Sequence, residues 1–89
     1  MPIRVRVEYT KEFRDDLRKI RDGNLRNKIR KAIEKIIDSP GKGKPLKYEL
    51  KGLRSVRVPP FRIIYKYNND LIMLLKVEHR KKSYKKMAR

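Results

Sequence analysis

Single basic side chains interrupt short apolar runs in the second half of this 89-residue chain. Two of them are arginines, in the segments Val56-Arg57-Val58 and Phe61-Arg62-Ile63-Ile64-Tyr65. Fixed guanidinium groups bind phosphate oxygens and stabilise the negative charge that develops on them during phosphoryl transfer. The pattern therefore predicts contact with a phosphate backbone, although the spacing alone also fits two solvated charges on an exposed face.

Two further candidates for chemistry follow the last apolar run, in His79-Arg80 and in Tyr84. A single histidine at the end of a strand is either an acid–base group or an ordinary structural residue. An aromatic residue near bound RNA can stack on an unpaired base, donate a proton or anchor the tail of the chain. The sequence contains one His and no Cys, so no set of these residues can complete a zinc site.

The charge balance limits the classes of partner. The chain has 27 Lys and Arg residues against 10 Asp and Glu residues, a net charge of +17. Residues 1–38 contribute +5 of this charge and residues 39–89 contribute +12. A field of this sign favours RNA, DNA, an anionic membrane or an acidic protein as partner. No apolar run approaches the roughly 20 residues needed to cross a bilayer, so we expect a cytoplasmic protein. Among the candidate partners we do not expect a membrane.

Apolar periodicity predicts the elements of the first half of the chain. Period-two alternation predicts a strand over 3–9, and helical spacing predicts two antiparallel helices. Thr10 is the expected cap of a helix over about 11–22 that Gly23 ends. Asn24 is the expected cap of a second helix, which ends at Asp38-Ser39-Pro40. Residues 40–45 are rich in Gly and Pro and predict a solvated loop.

The second half predicts a three-stranded antiparallel meander, with strands over about 54–58, 61–67 and 71–78. Residues 71–75 are apolar at every position, which indicates a strand inside the sheet. The order of elements is β-α-α-β-β-β. We therefore expect an α+β fold in a single domain, residues 1–89, with a helical hairpin packed against a mostly antiparallel sheet.

Alternation within the strands assigns side chains to faces. Arg57 and Ser55 should project from the face opposite Val56 and Val58. In the next strand, Arg62 should project from the face opposite its aromatic and apolar neighbours. Two adjacent strands can therefore bring Arg57 and Arg62 close together, an arrangement that suits an anion between them.

These segments together resemble the RelE toxins of bacterial and archaeal toxin–antitoxin pairs, within the RelE/ParE superfamily. The resemblance rests on an ordered set of motifs behind a β-α-α lead: Leu50-Lys51-Gly52-Leu53, Val56-Arg57-Val58, Phe61-Arg62-Ile63-Ile64-Tyr65 and His79-Arg80 with Tyr84. It implies a compact fold like that of microbial ribonucleases. It also implies ribosome-dependent cleavage of messenger RNA in the A site by attack of the ribose 2′-hydroxyl, without metal or cofactor. The implied partners are the ribosome, messenger RNA and an acidic RelB-like antitoxin, with a higher-order toxin–antitoxin complex as a further expectation.

The resemblance also implies roles for individual residues. Arg62, Arg80 and Tyr84 fall on catalytic positions, with Arg80 stabilising the transition state and Tyr84 near the reacting nucleotide. His79 is the candidate acid–base group. The residues expected to bind RNA are Lys51, Arg54, Arg57, Lys81 and Lys82.

The chain departs from the family pattern at two places. The family often has a second basic residue two positions before Arg57, where this chain has Ser55, and Arg54 or Lys51 is the candidate replacement. The identity of the general base therefore stays open. Pro59-Pro60 replaces the usual glycine-containing turn, which should stiffen that connection.

Two other functions compete with the ribonuclease. A ParE-type toxin has the same fold but acts on DNA gyrase as a protein ligand and needs no catalytic arginines. A non-catalytic basic domain that binds ribosomal RNA or ribosomes would require only the charge. The presence of Arg57, Arg62, Arg80 and Tyr84 in one chain favours the nuclease.

Overall fold

The computed structural model describes residues 5–47 and 51–79. These residues form an α+β fold with two α-helices, a short 3₁₀ helix and a five-stranded sheet, which confirms the predicted fold class with one additional strand. The elements are β1 (Arg6–Tyr9), α1 (Lys11–Lys19), α2 (Gly23–Asp38), the 3₁₀ helix (Pro40–Lys42), β2 (Lys44–Pro45), β3 (Leu53–Val58), β4 (Phe61–Asn68) and β5 (Leu71–His79).

Helix α1 begins as predicted and ends early. The Thr10 hydroxyl accepts a hydrogen bond from the Phe13 backbone N–H at 3.0 Å and donates one to the Leu75 carbonyl at 2.5 Å. The cap therefore also ties the helix to strand β5. The helix ends at Lys19 and not near residue 22, because Ile20 adopts an extended conformation that buries its side chain in the core.

Helix α2 begins before its predicted cap. The Asp22 carboxylate accepts hydrogen bonds from the N–H groups of Asn24 and Leu25 at 2.8 and 3.2 Å, so Asp22 is the cap and Gly23 is the first helical residue. The predictions that Asn24 caps this helix and that Gly23 ends the preceding one were wrong. Asp and Asn are equally good caps, and the negative charge of Asp is also favourable at a helix N-terminus. The helix ends at Asp38, directly before Ser39-Pro40, as expected.

The strands lie in the order β1-β5-β4-β3-β2. Strands β3, β4 and β5 form the predicted antiparallel meander, and β1 pairs in parallel with the first half of β5. The interior position predicted for β5 is confirmed. The segment predicted as a loop over 40–45 instead contains the 3₁₀ helix and strand β2, which pairs with β3 at the sheet edge. An edge strand tolerates Pro45 because its missing N–H is not needed by a further strand.

Both helices pack against one side of the sheet, which we call the helix face. The core there contains Phe13 from α1, Ile29 and Ile36 from α2, and Ile63 and Leu74 from the sheet, all 1% exposed or less. The opposite side, defined by Arg57, Arg62, Lys76 and Glu78, is called the arginine face. No helix in the described residues is long and apolar enough to cross a membrane.

Candidate functional site

The centre of the arginine face is a cross-strand row of charged residues. Arg57 of β3 lies directly opposite Arg62 of β4, which lies directly opposite Glu78 of β5. Residues directly opposite in an antiparallel pair project to the same face, with Cβ atoms about 4.5–5.5 Å apart. The predicted proximity of Arg57 and Arg62 is therefore confirmed. The Arg57 residue is exposed, and the Arg62 side chain is 22% exposed.

Glu78 fixes the inner arginine of this row. Its Oε2 atom lies 3.5 Å from Nη2 of Arg62, and its Oε1 atom forms an ion pair with Nζ of Lys76. The Glu78 side chain is only 12% exposed, so these contacts are partly shielded from water. The carboxylate orients Arg62 and offsets part of its charge. With Arg57 and the neighbouring Lys76 included, this part of the arginine face keeps an excess of positive charge.

A β-bulge in strand β5 brings Glu78 into this row. Tyr65 pairs with Leu74, whereas the preceding Ile64 pairs with Lys76, so Leu75 is an extra residue in β5. A single extra residue shifts the following residues to the opposite face. Lys76 and Glu78 consequently share the arginine face with Ile64. Neither residue could be assigned to this face from the sequence, because nothing in the apolar run indicates a bulge.

The same bulge places His79 on the helix face. His79 lies opposite Phe61, which packs against the hydrophobic core, and the two rings meet edge to face with centroids 5.2 Å apart. The histidine is therefore not brought together with Arg57 and Arg62 by the sheet. Its proposed acid–base role stays a prediction that this placement does not support.

Arg54 also lies on the helix face. It pairs with Tyr65 across β3 and β4, and its Nη1 atom donates hydrogen bonds to the carbonyls of Gly41 at 3.1 Å and Gly43 at 2.9 Å. The RNA contact expected of Arg54 finds no support in this geometry, since its guanidinium is engaged with the backbone on the other side of the sheet. Lys51 is exposed in the turn before β3, outside the charged row.

Tyr65 is a buried phenol that the sequence analysis did not single out as a polar group. Its side chain is fully buried, and its hydroxyl donates a hydrogen bond to the Pro40 carbonyl at 2.6 Å. Burial raises the pKa of Tyr65 above 10.0, while a hydrogen bond from the Gly43 backbone and the charge of Arg54 act in the opposite direction. Tyr65 therefore stays a neutral hydrogen-bond donor at physiological pH and serves the fold.

The remaining predicted site residues, Arg80, Lys81, Lys82 and Tyr84, lie outside the described residues. Their roles stay predictions. Within 5–47 and 51–79, no group of three or more acidic or histidine side chains is arranged to hold a metal ion.

Comparison with known proteins adds the family context. The model of the family described as "ParE toxin of type II toxin-antitoxin system, parDE" matches residues 7–84. No curated protein sequence matches the chain significantly.

Solved structures resemble the fold closely. One is the toxin–antitoxin complex RelBE2 from Mycobacterium tuberculosis, at 30% identity over 88% of this chain and 100% of that chain, with a TM-score of 0.75. The RelB–RelE antitoxin–toxin complex from Methanococcus jannaschii is 28% identical over 89% of this chain and 96% of that chain, with a TM-score of 0.67. A YoeB/ParE toxin from Agrobacterium tumefaciens shares the fold, at 21% identity over 84% and 98% of the two chains and a TM-score of 0.74.

Proposed function

Since the chain belongs to the RelE/ParE superfamily of toxins from type II toxin–antitoxin systems, we propose that it is a ribosome-dependent endoribonuclease. In this proposal it inhibits translation by cleaving messenger RNA in the ribosomal A site. The observation that carries the proposal is the cross-strand pair of Arg57 and Arg62, with Arg62 held by Glu78. Two guanidinium groups kept side by side repel each other, and a bound phosphate relieves that repulsion.

The proposed reaction is an intramolecular phosphoryl transfer in RNA. The ribose 2′-hydroxyl gives up its proton to a general base as its oxygen attacks the adjacent phosphorus. The bond from phosphorus to the 5′-oxygen breaks, and that oxygen takes up a proton, so the products are a 2′,3′-cyclic phosphate and a 5′-hydroxyl. Negative charge grows on the non-bridging oxygens in the transition state, where Arg57 and Arg62 can stabilise it electrostatically. The family resemblance supports Arg80 and Tyr84 as further catalytic residues in this proposal. Neither metal nor cofactor takes part in the proposed mechanism.

The proposed protein partner is an acidic RelB-like antitoxin that neutralises the toxin in the cytoplasm. The net charge of +17 supports an acidic partner, because charge complementarity speeds association and selects among partners. A domain of 89 residues also gains buried area when a second chain covers its surface. Two of the similar structures are described as complexes of toxin with antitoxin, and we propose such a complex, with a higher-order assembly, for this chain.

One observation favours a second candidate function. The family model that matches residues 7–84 is that of the ParE toxin. A ParE-type toxin would act on DNA gyrase through a protein interface, and its activity would not depend on Arg57 or Arg62. The two candidates therefore differ in target and in their dependence on the arginine face.

Parallel assays with the purified chain separate these candidates. One assay maps breaks in messenger RNA on programmed ribosomes, and the other follows supercoiling by DNA gyrase. We expect A-site cleavage by the wild-type protein and cleavage slower by on the order of 10²–10³-fold by Arg62→Ala, with gyrase unaffected by either protein. Inhibition of gyrase without RNA cleavage would replace the ribonuclease proposal by the ParE-type one. Ribosome binding without either activity would indicate a non-catalytic basic domain.

A further inference from the structure

Strand β2 adds one more cation to the arginine face. Lys44 lies directly opposite Ser55 in the antiparallel pair of β2 and β3, so the two side chains project to the same face. Ser55 precedes Arg57 by two residues along β3, which places both on that face as well. From strand spacings, the Cα atoms of Lys44 and Arg57 lie on the order of 8 Å apart. Both long side chains can therefore reach one bound strand of RNA.

The row of residues that contains Lys44 differs from the row that contains the arginines. Its two central members, Ser55 and Ile64, are uncharged and buried, so its positive charges stand only at its ends. Lys76, at one end, is already paired with Glu78. Lys44, at the other end, is exposed and makes no ion pair with any of the described residues. Its ammonium group is therefore available to a phosphate.

Side chains from the helix face hold the backbone around Lys44. Arg54 donates to the carbonyls of Gly41 and Gly43, and Tyr65 donates to the carbonyl of Pro40. On the far side of Lys44, the Leu46 N–H donates to the Leu53 carbonyl at 2.9 Å. A Gly- and Pro-rich segment is thus fixed at several points. This fixation reduces the entropy that would be lost when Lys44 orders against a ligand.

We infer that Lys44 binds a backbone phosphate of RNA beside the one held by Arg57, and that Arg54 is a positioning residue that acts through Lys44. The inference rests on the proposed ribonuclease function and assigns part of its substrate contact to strand β2. It replaces the direct RNA contact predicted for Arg54 by an indirect one.

The first test measures binding of a single-stranded RNA with one 2′-deoxyribose at the cleavage position, which prevents turnover. Lys44→Met removes the charge, Lys44→Arg keeps it, and Lys31→Met removes an exposed charge from α2 on the other side of the sheet. Loss of one phosphate contact on a single strand lowers the slope of log affinity against log salt by about 0.7. Of these three variants, we expect this lower slope for Lys44→Met and not for Lys44→Arg or Lys31→Met. Equal slopes for Lys44→Met and Lys31→Met would overturn the inference.

The second test asks whether Arg54 acts through Lys44. We expect Arg54→Met to lower the salt slope, and the double variant with Lys44→Met to show the slope of Lys44→Met alone. Additive losses would mean that Arg54 contacts RNA itself and would contradict the positioning role. Tyr65→Phe releases the same segment without removing a positive charge, so it repeats the test if Arg54→Met fails to fold.

Moving the positive charge to the neighbouring strand should restore the RNA contact. Ser55→Lys in the Lys44→Met background moves the ammonium group one strand inward on the same face, and we expect it to restore the salt dependence of RNA binding.

The outcomes for Lys44 can be separated from those for the proposed ribonuclease activity. If wild-type protein cleaves RNA but Lys44→Met binds like wild type, only the present inference fails. If wild-type protein does not cleave RNA but the slope of log affinity against log salt falls for Lys44→Met and not for Lys31→Met, the phosphate contact of Lys44 is supported and the ribonuclease function is contradicted.

Discussion

The two faces of the sheet use the same residue type for opposite purposes. On the helix face, Arg54 donates to backbone carbonyls and takes part in the packing around Tyr65. On the arginine face, Arg57 is exposed and Arg62 is oriented by Glu78. Arg54 and Arg57 are only three residues apart in one strand, so the parity of the position decides the role. A guanidinium supports the fold on one face and remains accessible to a phosphate on the other.

The largest expected effect concerns the arginine face. We expect Arg62→Ala to lower the cleavage rate on the order of 10²–10³-fold, about 3–4 kcal/mol of transition-state stabilisation, because it removes a donor aimed at developing charge. Single-turnover cleavage on programmed ribosomes measures this. Arg18→Ala, an exposed arginine on α1, is the matched control and should cleave as wild type does. Equal losses in both variants would indicate a general charge effect and not a site.

The next effect concerns the packing that supports the helix face. A Cβ atom at Gly43 would lie 2.1 Å from the hydroxyl oxygen of Tyr65, whereas one at Gly41 meets no atom within 4 Å. We expect Gly43→Ala to lower the free energy of unfolding by about 1–3 kcal/mol, as overpacking does. Gly41→Ala should change it little. Urea titration measures both, and equal stability of the two variants would show that the contact at Gly43 is not tight.

A smaller effect, with a pH signature, is expected for Tyr65→Phe. Loss of the hydrogen bond to Pro40 should cost about 0.5–1.5 kcal/mol of unfolding free energy at neutral pH. The pKa of Tyr65 is higher in the folded protein than the unfolded value of 10.0. The contribution of the phenol to the free energy of unfolding is therefore fully present below pH 10.0 and is lost as the pH rises through the folded-state pKa. The stability difference between wild type and Tyr65→Phe should therefore narrow above pH 10. Urea titrations across this range measure it, and a difference that widens there would have the wrong sign.

The smallest effect is expected for the partly exposed ion pairs of Glu78. We expect Glu78→Gln to lower the free energy of unfolding by less than about 1 kcal/mol, because the amide oxygen still accepts a hydrogen bond and the side chains of Arg62 and Lys76, 22% and 25% exposed, can turn toward water. The loss should shrink in high salt. A loss of several kcal/mol by urea titration would show that Glu78 supports the fold as strongly as the helix-face contacts do.

Local patterns explain why part of this arrangement could be predicted from the sequence. Alternation within β3 and β4 was sufficient to place Arg57 beside Arg62, because both strands are regular and their connection at Pro59-Pro60 is short. The bulge at Leu75 could not be read from an apolar run that continues into alternating residues. It moved His79 away from the arginines and Glu78 toward them.

The position of Lys44 on the arginine face could not be predicted from the sequence either. A Gly- and Pro-rich segment predicts a loop, and strand β2 has only two residues. The segment reaches the sheet edge because Arg54 and Tyr65, more than ten residues away, bond to its carbonyls. The predicted start of α2 was wrong for a simpler reason. Asp22 and Asn24 are both good helix caps, and the sequence alone does not show which of them the backbone uses.

Attack by the 2′-hydroxyl is tested most directly on programmed ribosomes, with a messenger RNA that carries a single 2′-deoxyribose at the mapped cleavage position. We expect wild-type protein to cut the all-ribose message to a 2′,3′-cyclic phosphate and a 5′-hydroxyl. We also expect the deoxy substitution to abolish the cut at that position while leaving binding to the ribosome intact. Cleavage of the deoxy message at the same bond, or products that carry a 5′-phosphate, would contradict attack by the 2′-hydroxyl on a phosphate held at the arginine face.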